Sequence, residues 1–184
     1  MSASKKRSFL TILFDFFEIA IISTTIFFLV YLFVGQLLEV TGDSMHPTLL
    51  DQEQVIAEKV SHKFNPIERG HIVIFKHTEQ NDRLLIKRVI GRPFDNIKIS
   101  NGLIYINGKL YNEPYLQPNT ITHANKNMNE GIEYTVPEYS YVLMGDNRAK
   151  SSDSRTFGPV REELIVGKAA AVYYPFSSFR VIEH

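Results

Sequence analysis

Residues 19–38 carry no formal charge over twenty consecutive positions. At about 1.5 Å per residue this run would form a helix of roughly 30 Å, the thickness of a bilayer's hydrocarbon core. A cleaved secretory signal would have an apolar region of only about 7–15 residues followed by small residues. Leu38-Glu39-Val40 offers no small pair there, so the run reads as a retained transmembrane helix. Ser23, Thr24 and Thr25 can hydrogen-bond back onto helix carbonyls, which makes them compatible with insertion. Lys5, Lys6 and Arg7 precede the run, with Asp15 and Glu18 near its start. Positive flanks stay inside, so residues 1–18 are expected to be cytoplasmic, residues 19–38 to span once, and residues 39–184 to lie outside the cytoplasm.

The exported part is long enough for one domain with its own core. Its short runs of branched and aromatic residues (71–75, 84–90, 97–100, 103–106, 139–144 and 164–174) read as strands. Asn101-Gly102 between two of them suits a type I′ turn, and Asn107-Gly108 marks a second turn. No soluble helical period alternates with the strands, which disfavours a βαβ sheet. The fold class expected is all-β: one N-terminal transmembrane helix followed by a barrel-like β domain. Residues 116–135 are polar and asparagine-rich and read as a surface excursion. Phe64, Phe176 and Phe179 read as exposed aromatics, compatible with membrane contact or with scattered surface apolars.

Twenty basic residues balance twenty acidic ones, so no basic excess argues for nucleic-acid binding. The absence of cysteine excludes disulfides, thiolate catalysis and cysteine-ligated zinc. The six histidines have no metal-site spacing, and no cofactor is expected.

Three segments carry chemistry. Ser44 stands six residues past the apolar run, between Gly42 and Pro47. A serine in such a tight turn can present its hydroxyl and its own N–H together; alone, it reads equally as a turn or cap serine. Lys87 is the one lysine inside the apolar strand 84–90, with Arg88 on the opposite face. If either face packs on a core, one of these cations is desolvated, and burial lowers a lysine's pKa toward that of a usable base. The competing reading is a solvent-facing lysine on an edge strand. The segment 145–159 is dense in glycine, serine, asparagine and aspartate, and can order itself through side-chain to backbone bonds. Within it, the Ser151 hydroxyl can hold a neutral lysine amine, and Asp153 can pair with Arg155 or with Arg88. Asp43, Ser44 and His46 stand too close in sequence to converge as a triad.

Taken together these segments resemble the type I signal peptidases, in the short, single-anchor form of Gram-positive bacteria. The residues that carry the resemblance are Gly42-x-Ser44-Met45-x-Pro47-Thr48-Leu49, Arg69-Gly70-x-Ile72-Val73-x-Phe75, Lys87-Arg88-Val89-Ile90-Gly91-x-Pro93-x-Asp95, and Gly145-Asp146-Asn147-Arg148-x-x-Ser151-x-Asp153-Ser154-Arg155-x-Phe157-Gly158. They stand in the family's order after an anchor. The resemblance implies a serine endopeptidase with Ser44 as nucleophile and Lys87 as general base, and with no cofactor. Ser151 would hold the lysine amine, and Asp153, Arg155 and Arg88 would be structural ion-pair residues. It implies removal of signal peptides from exported preproteins after small residues at −1 and −3. Membrane lipids and the protein translocation channel are the other partners implied, at the cell membrane. The pockets for the small residues are expected beside Ser44 and along the strand before Lys87. Gly42 replaces a serine that in some members donates to the oxyanion, Phe94 replaces a glycine, and His71 replaces an aspartate. Two other readings stand beside it. One is a self-cleaving repressor-type relative, which would need a DNA-binding segment in place of the anchor. The other is an inactive membrane-anchored binding module for exported proteins, against which intact Ser44 and Lys87 argue.

Overall fold

The structure, a computed structural model, describes residues 9–33, 35–60, 64–77 and 83–182. The basic cluster Lys5, Lys6 and Arg7 therefore lies outside the described residues.

Helix α1 spans Phe9–Phe33 and is apolar on every face, with Phe14, Phe17, Ile19, Ile21 and Ile26 all exposed. Its segment Phe9–Phe28 is long and apolar enough to cross a membrane, and none of it is buried against the rest of the chain. A helix hydrophobic all round needs an apolar surrounding, which here no protein layer supplies. Thr25 Oγ1 donates to the Ile21 carbonyl at 2.8 Å, the back-bonding that makes a hydroxyl tolerable in lipid. The helix is displaced from the uncharged run: it starts ten residues earlier and takes in Asp15 and Glu18. At the other end, residues 35–38 are strand, not helix. Gly35 disfavours helix, and the following residues alternate, Leu37 exposed and Leu38 packed on the core.

The rest is β structure in two sheets, every pair antiparallel. The larger sheet contains β1 (Gly35–Glu39), β2 (Gln54–Glu58), β3 (Ile72–His77), β4 (Arg83–Gly91), β9 (Ser140–Met144), β10 (Val160–Arg161), β11 (Ile165–Tyr174) and β12 (Arg180–Val181). Its order is β1-β2-β11-β3-β4-β9-β10, with β12 also on β11. The smaller sheet contains β5 (Asn96–Ser100), β6 (Leu103–Ile106), β7 (Lys109–Leu110) and β8 (Glu133–Thr135), ordered β7-β6-β5-β8. The larger sheet bends at β-bulges in β11 and between β4 and β9, but its end strands do not pair, so the barrel-like domain is open. The two hairpin turns form as their sequences require: Asn101, Gly102, Asn107 and Gly108 all have positive φ.

The excursion of residues 116–135 is not purely surface. Met128 is buried against the core of the smaller sheet, Thr122 is buried, and β8 lies within the excursion. Its polar composition hid these anchor points. A short helix α2 (Ser154–Phe157) is capped by the Asp153 carboxylate, which accepts from the Arg155 N–H.

Candidate active site

Ser44 sits in the loop joining β1 to β2. Backbone bonds between Val40 N–H and Glu53 C=O (2.7 Å), and between Gln52 N–H and Val40 C=O (2.8 Å), close the base of that loop. Gly42, at φ +87°, gives the reversal before the serine, and its N–H donates to Asp51 Oδ1 at 2.6 Å. Met45 and Leu49 are fully buried in the core cluster beneath. They plug the loop from below and leave Ser44 half-buried at its surface.

Lys87 is on β4, between β3 and β9, opposite Val73. The expectation that one of Lys87 and Arg88 is desolvated is exceeded: they are 3% and 2% exposed. Lys87 Nζ lies 2.7 Å from Ser44 Oγ, within hydrogen-bond distance, and donates to the Ile86 carbonyl at 2.9 Å. Burial pulls its pKa down to about 8; the Asp153 and Asp146 carboxylates oppose that shift, and Arg83 adds to it. An amine near pH 8 is uncharged in a useful fraction at neutral pH.

The 145–155 segment supports both groups. Arg155 forks onto Asp153 with Nε to Oδ1 and Nη2 to Oδ2, each 2.8 Å, as one of the two expected pairings. The other does not form. Arg88 instead forks onto Asp146, Nε to Oδ1 at 2.9 Å and Nη2 to Oδ2 at 2.7 Å. Asp153 is already filled by Arg155 and by the Gly145 N–H, whereas Asp146 stands close to Met144, the cross-strand partner of Arg88. Arg88 also donates to the Gly70 carbonyl at 2.8 Å and lies 3.9 Å from the centre of the Tyr115 ring. The Thr48 hydroxyl donates to Asp146 Oδ2 at 2.5 Å, which ties this ion pair to the loop of Ser44. Asn147 N–H donates to the Ser44 carbonyl at 3.0 Å. Ser151 lies against Gly145, but its buried hydroxyl makes no hydrogen bond among the described residues, to Lys87 or otherwise.

Asp146, Thr48, Arg148 and Glu113 are site-supporting residues to which the sequence assigned no role. Arg148 is buried, pairs with Glu113, and donates to Thr122 Oγ1 at 2.6 Å and to the Gly145 carbonyl at 3.0 Å. The available signal was an arginine set among short hydrogen-bonding residues after an apolar strand; once buried there, such a cation must have a partner.

A cleft of about 90 Å³ opens beside the pair, walled by residues 38–41, Ser44, Val55, Ile74 and residues 83–87. Its walls are those expected, the flank of Ser44 and the strand before Lys87. It is narrow and half-apolar, as a site for small side chains would be.

A hydroxyl against a buried amine whose pKa is drawn down toward neutrality, beside a narrow cleft, can perform acyl transfer. The family model described as "Signal peptidase, peptidase S26" matches residues 13–174. Signal peptidase IB of Staphylococcus aureus (strain COL) is 36% identical over 180 residues, covering 87% of this chain and 91% of the relative. Signal peptidase I U of Bacillus subtilis (strain 168) is 35% identical over 183 residues, covering 98% and 96%. A crystal structure of a signal peptidase I from Enterococcus faecalis V583 aligns at 28% identity and a TM-score of 0.49, over 58% of this chain and 98% of that one. A family match over residues 13–174, with relatives 35–36% identical over most of both chains, shows that the chain belongs to the type I signal peptidases of the peptidase S26 family.

Proposed function

We propose that this membrane-anchored signal peptidase cuts preproteins with Ser44 as nucleophile and Lys87 as its general base. The observation that carries the assignment is the 2.7 Å separation of Lys87 Nζ from Ser44 Oγ, with the lysine 3% exposed. With the amine uncharged, the serine proton is directed at the nitrogen lone pair while the Ile86 carbonyl still accepts from an N–H. Ser44 Oγ attacks the scissile carbonyl as its proton passes to Nζ. The tetrahedral oxyanion takes a hydrogen bond from the Ser44 N–H, a kind of donor worth about 2.7–4 kcal/mol in other proteases. The ammonium of Lys87 then protonates the departing amine as the C–N bond breaks, which releases the mature protein. Water, losing a proton to the same amine, hydrolyses the Ser44 ester and frees the signal peptide.

The cleft beside Ser44 would take the small side chains at −1 and −3; its volume supports that reading. Asp153–Arg155 and Arg88–Asp146 would hold the two strands that carry the pair in register. Ser151 would steady the lysine amine after a small rotation of either group; its buried, unpartnered hydroxyl supports this.

The basic residues before α1 support an N-terminus in the cytoplasm and a β domain outside it. Lipids around α1, lipid contact at the exposed Phe176 and Phe179, and the channel that delivers preproteins would be its surroundings.

Cleavage of a precursor in detergent by wild type, Ser44→Ala and Lys87→Ala tests the assignment. Both variants should be folded and slower by about 10⁴-fold or more, as for other nucleophile–base units. Near-normal processing by Lys87→Ala would remove the lysine from the mechanism. Binding of precursor without cleavage by the wild type would favour the inactive binding module instead.

A further inference from the structure

A second cleft, of about 330 Å³, is also lined by the Ser44 loop. His46 and Pro47 line it where residues 38–41 line the first, and the two clefts share no lining residue. Ser44 lines the first and His46 the second, with the fully buried Met45 between them in the chain. Asn147, which lines the second cleft, donates its N–H to the Ser44 carbonyl at 3.0 Å. The cleft floor therefore stands one hydrogen bond from the reacting residue.

The opposite wall is the polar excursion, with Gln117, Asn119, Thr120 and His123. Two buried guanidiniums hold that wall in place from behind. Arg148 donates to Thr122 Oγ1 at 2.6 Å, and Arg155 donates to the His123 carbonyl at 3.2 Å. Arg148 and Arg155 belong to the segment that also supports Lys87, so wall and catalytic pair are braced by one network. The lining presents side-chain amides, a hydroxyl, two imidazoles and the buried, ion-paired Asp146 and Arg148, with Ile121 the large apolar group among the lining residues. Such groups meet peptide amides and short polar side chains; they offer no well for a large apolar one.

We propose that this cleft binds the residues immediately after the scissile bond, the amino terminus of the mature protein, as an extended polar segment. The proposal rests on the reading of Ser44 as nucleophile. A chain whose small residues fill the first cleft, with its scissile carbonyl at Ser44, must continue past that loop. The residues that follow run along that loop toward His46 and Pro47, which line the second cleft. The polar excursion thereby grips the leaving half of the substrate and sets which mature termini are cut well.

The test uses the full-length enzyme in detergent and two peptides identical on the signal side. One ends a single residue after the scissile bond; the other continues for about six residues, roughly 20 Å extended. Gln117→Trp and Ala149→Trp fill the cleft from opposite walls, at two exposed positions outside the catalytic pair. The wild type should cut the longer peptide with kcat/KM about tenfold higher, the worth of one or two hydrogen bonds. Each tryptophan variant should lose that advantage while keeping the rate on the short peptide, which reports an intact Ser44–Lys87 pair. Equal rates on both peptides for the wild type, or an advantage retained in both variants, would overturn the cleft and leave the peptidase standing. Failure of the wild type to cut either peptide would overturn the nucleophile and the cleft together.

Discussion

A lysine that is 3% exposed is held at a cost. The drop from 10.5 to about 8 corresponds to roughly 3 kcal/mol at 1.36 kcal/mol per unit. The cost has a definite pH range. The folded value is the lower one, so between about 8 and 10.5 the unfolded chain holds a proton that the folded chain has lost. Stability therefore rises with pH across that window, and the full cost applies below it. Lys87→Met, which keeps the volume without the charge, should be inactive yet more stable at pH 7 by about 1–3 kcal/mol. Denaturant unfolding at pH 7 and at pH 10.5 checks this: the gain should shrink at the higher pH. A methionine variant less stable than wild type at pH 7 would show that the burial is not costly. Ser44, Lys87 and the Asp153–Arg155 pair were legible in the sequence because each is local: a serine in a tight turn, a cation in an apolar strand, an acid two residues from a base. Arg88–Asp146 was not. Its partners are 58 residues apart, and only the pairing of β4 with β9 brings them together.

β4, the strand that carries Lys87, could be read from its branched residues, and the hairpins from their Asn-Gly turns. β2, β8 and the two-residue strands were missed, because short, half-buried segments show too little alternation to stand out, and β1 because its residues 35–38 close the uncharged run and read as helix. The start of α1 was missed for a different reason. Asp15 and Glu18 break a charge count but not a helix, which is set by backbone preference and by the apolar surround. The role of the polar excursion was hidden as well. Its anchors, Glu113 and Thr122 to Arg148, are contacts 35 and 26 residues apart in the chain, and such pairings leave no periodic trace. Among the loops, the tightest requirement falls on Gly145. A Cβ there would collide with Ser151 Oγ and with the Ser44 carbonyl oxygen. Gly145→Ala should displace the serine loop and lower kcat by about a hundredfold, the effect of a shift of about 1 Å in a reacting group. Its fold should persist, so circular dichroism and precursor cleavage on the same sample separate the two effects. Cleavage at the wild-type rate would mean that the loop absorbs the methyl group without moving Ser44.

Across the whole molecule, α1 passes to β1 within two residues, from Phe33 to Gly35, and Ser44 follows five residues after Glu39. The catalytic pair is thus tied close to the end of a helix that can cross a bilayer. A substrate held by its own apolar signal segment meets that site within one surface, which raises the effective concentration of each for the other. Removing residues 1–34 should cost about a hundredfold or more on precursors embedded in vesicles and change little on a soluble peptide. Equal losses on both would place the role of α1 in folding instead.

The central claim, an uncharged lysine acting on Ser44, is tested most directly by kcat/KM for precursor cleavage from pH 6 to pH 10. The reaction needs the amine without its proton, so the rate should rise with pH through a single ionisation near 8. A rate unchanged from pH 6 to pH 10 would contradict Lys87 as the base.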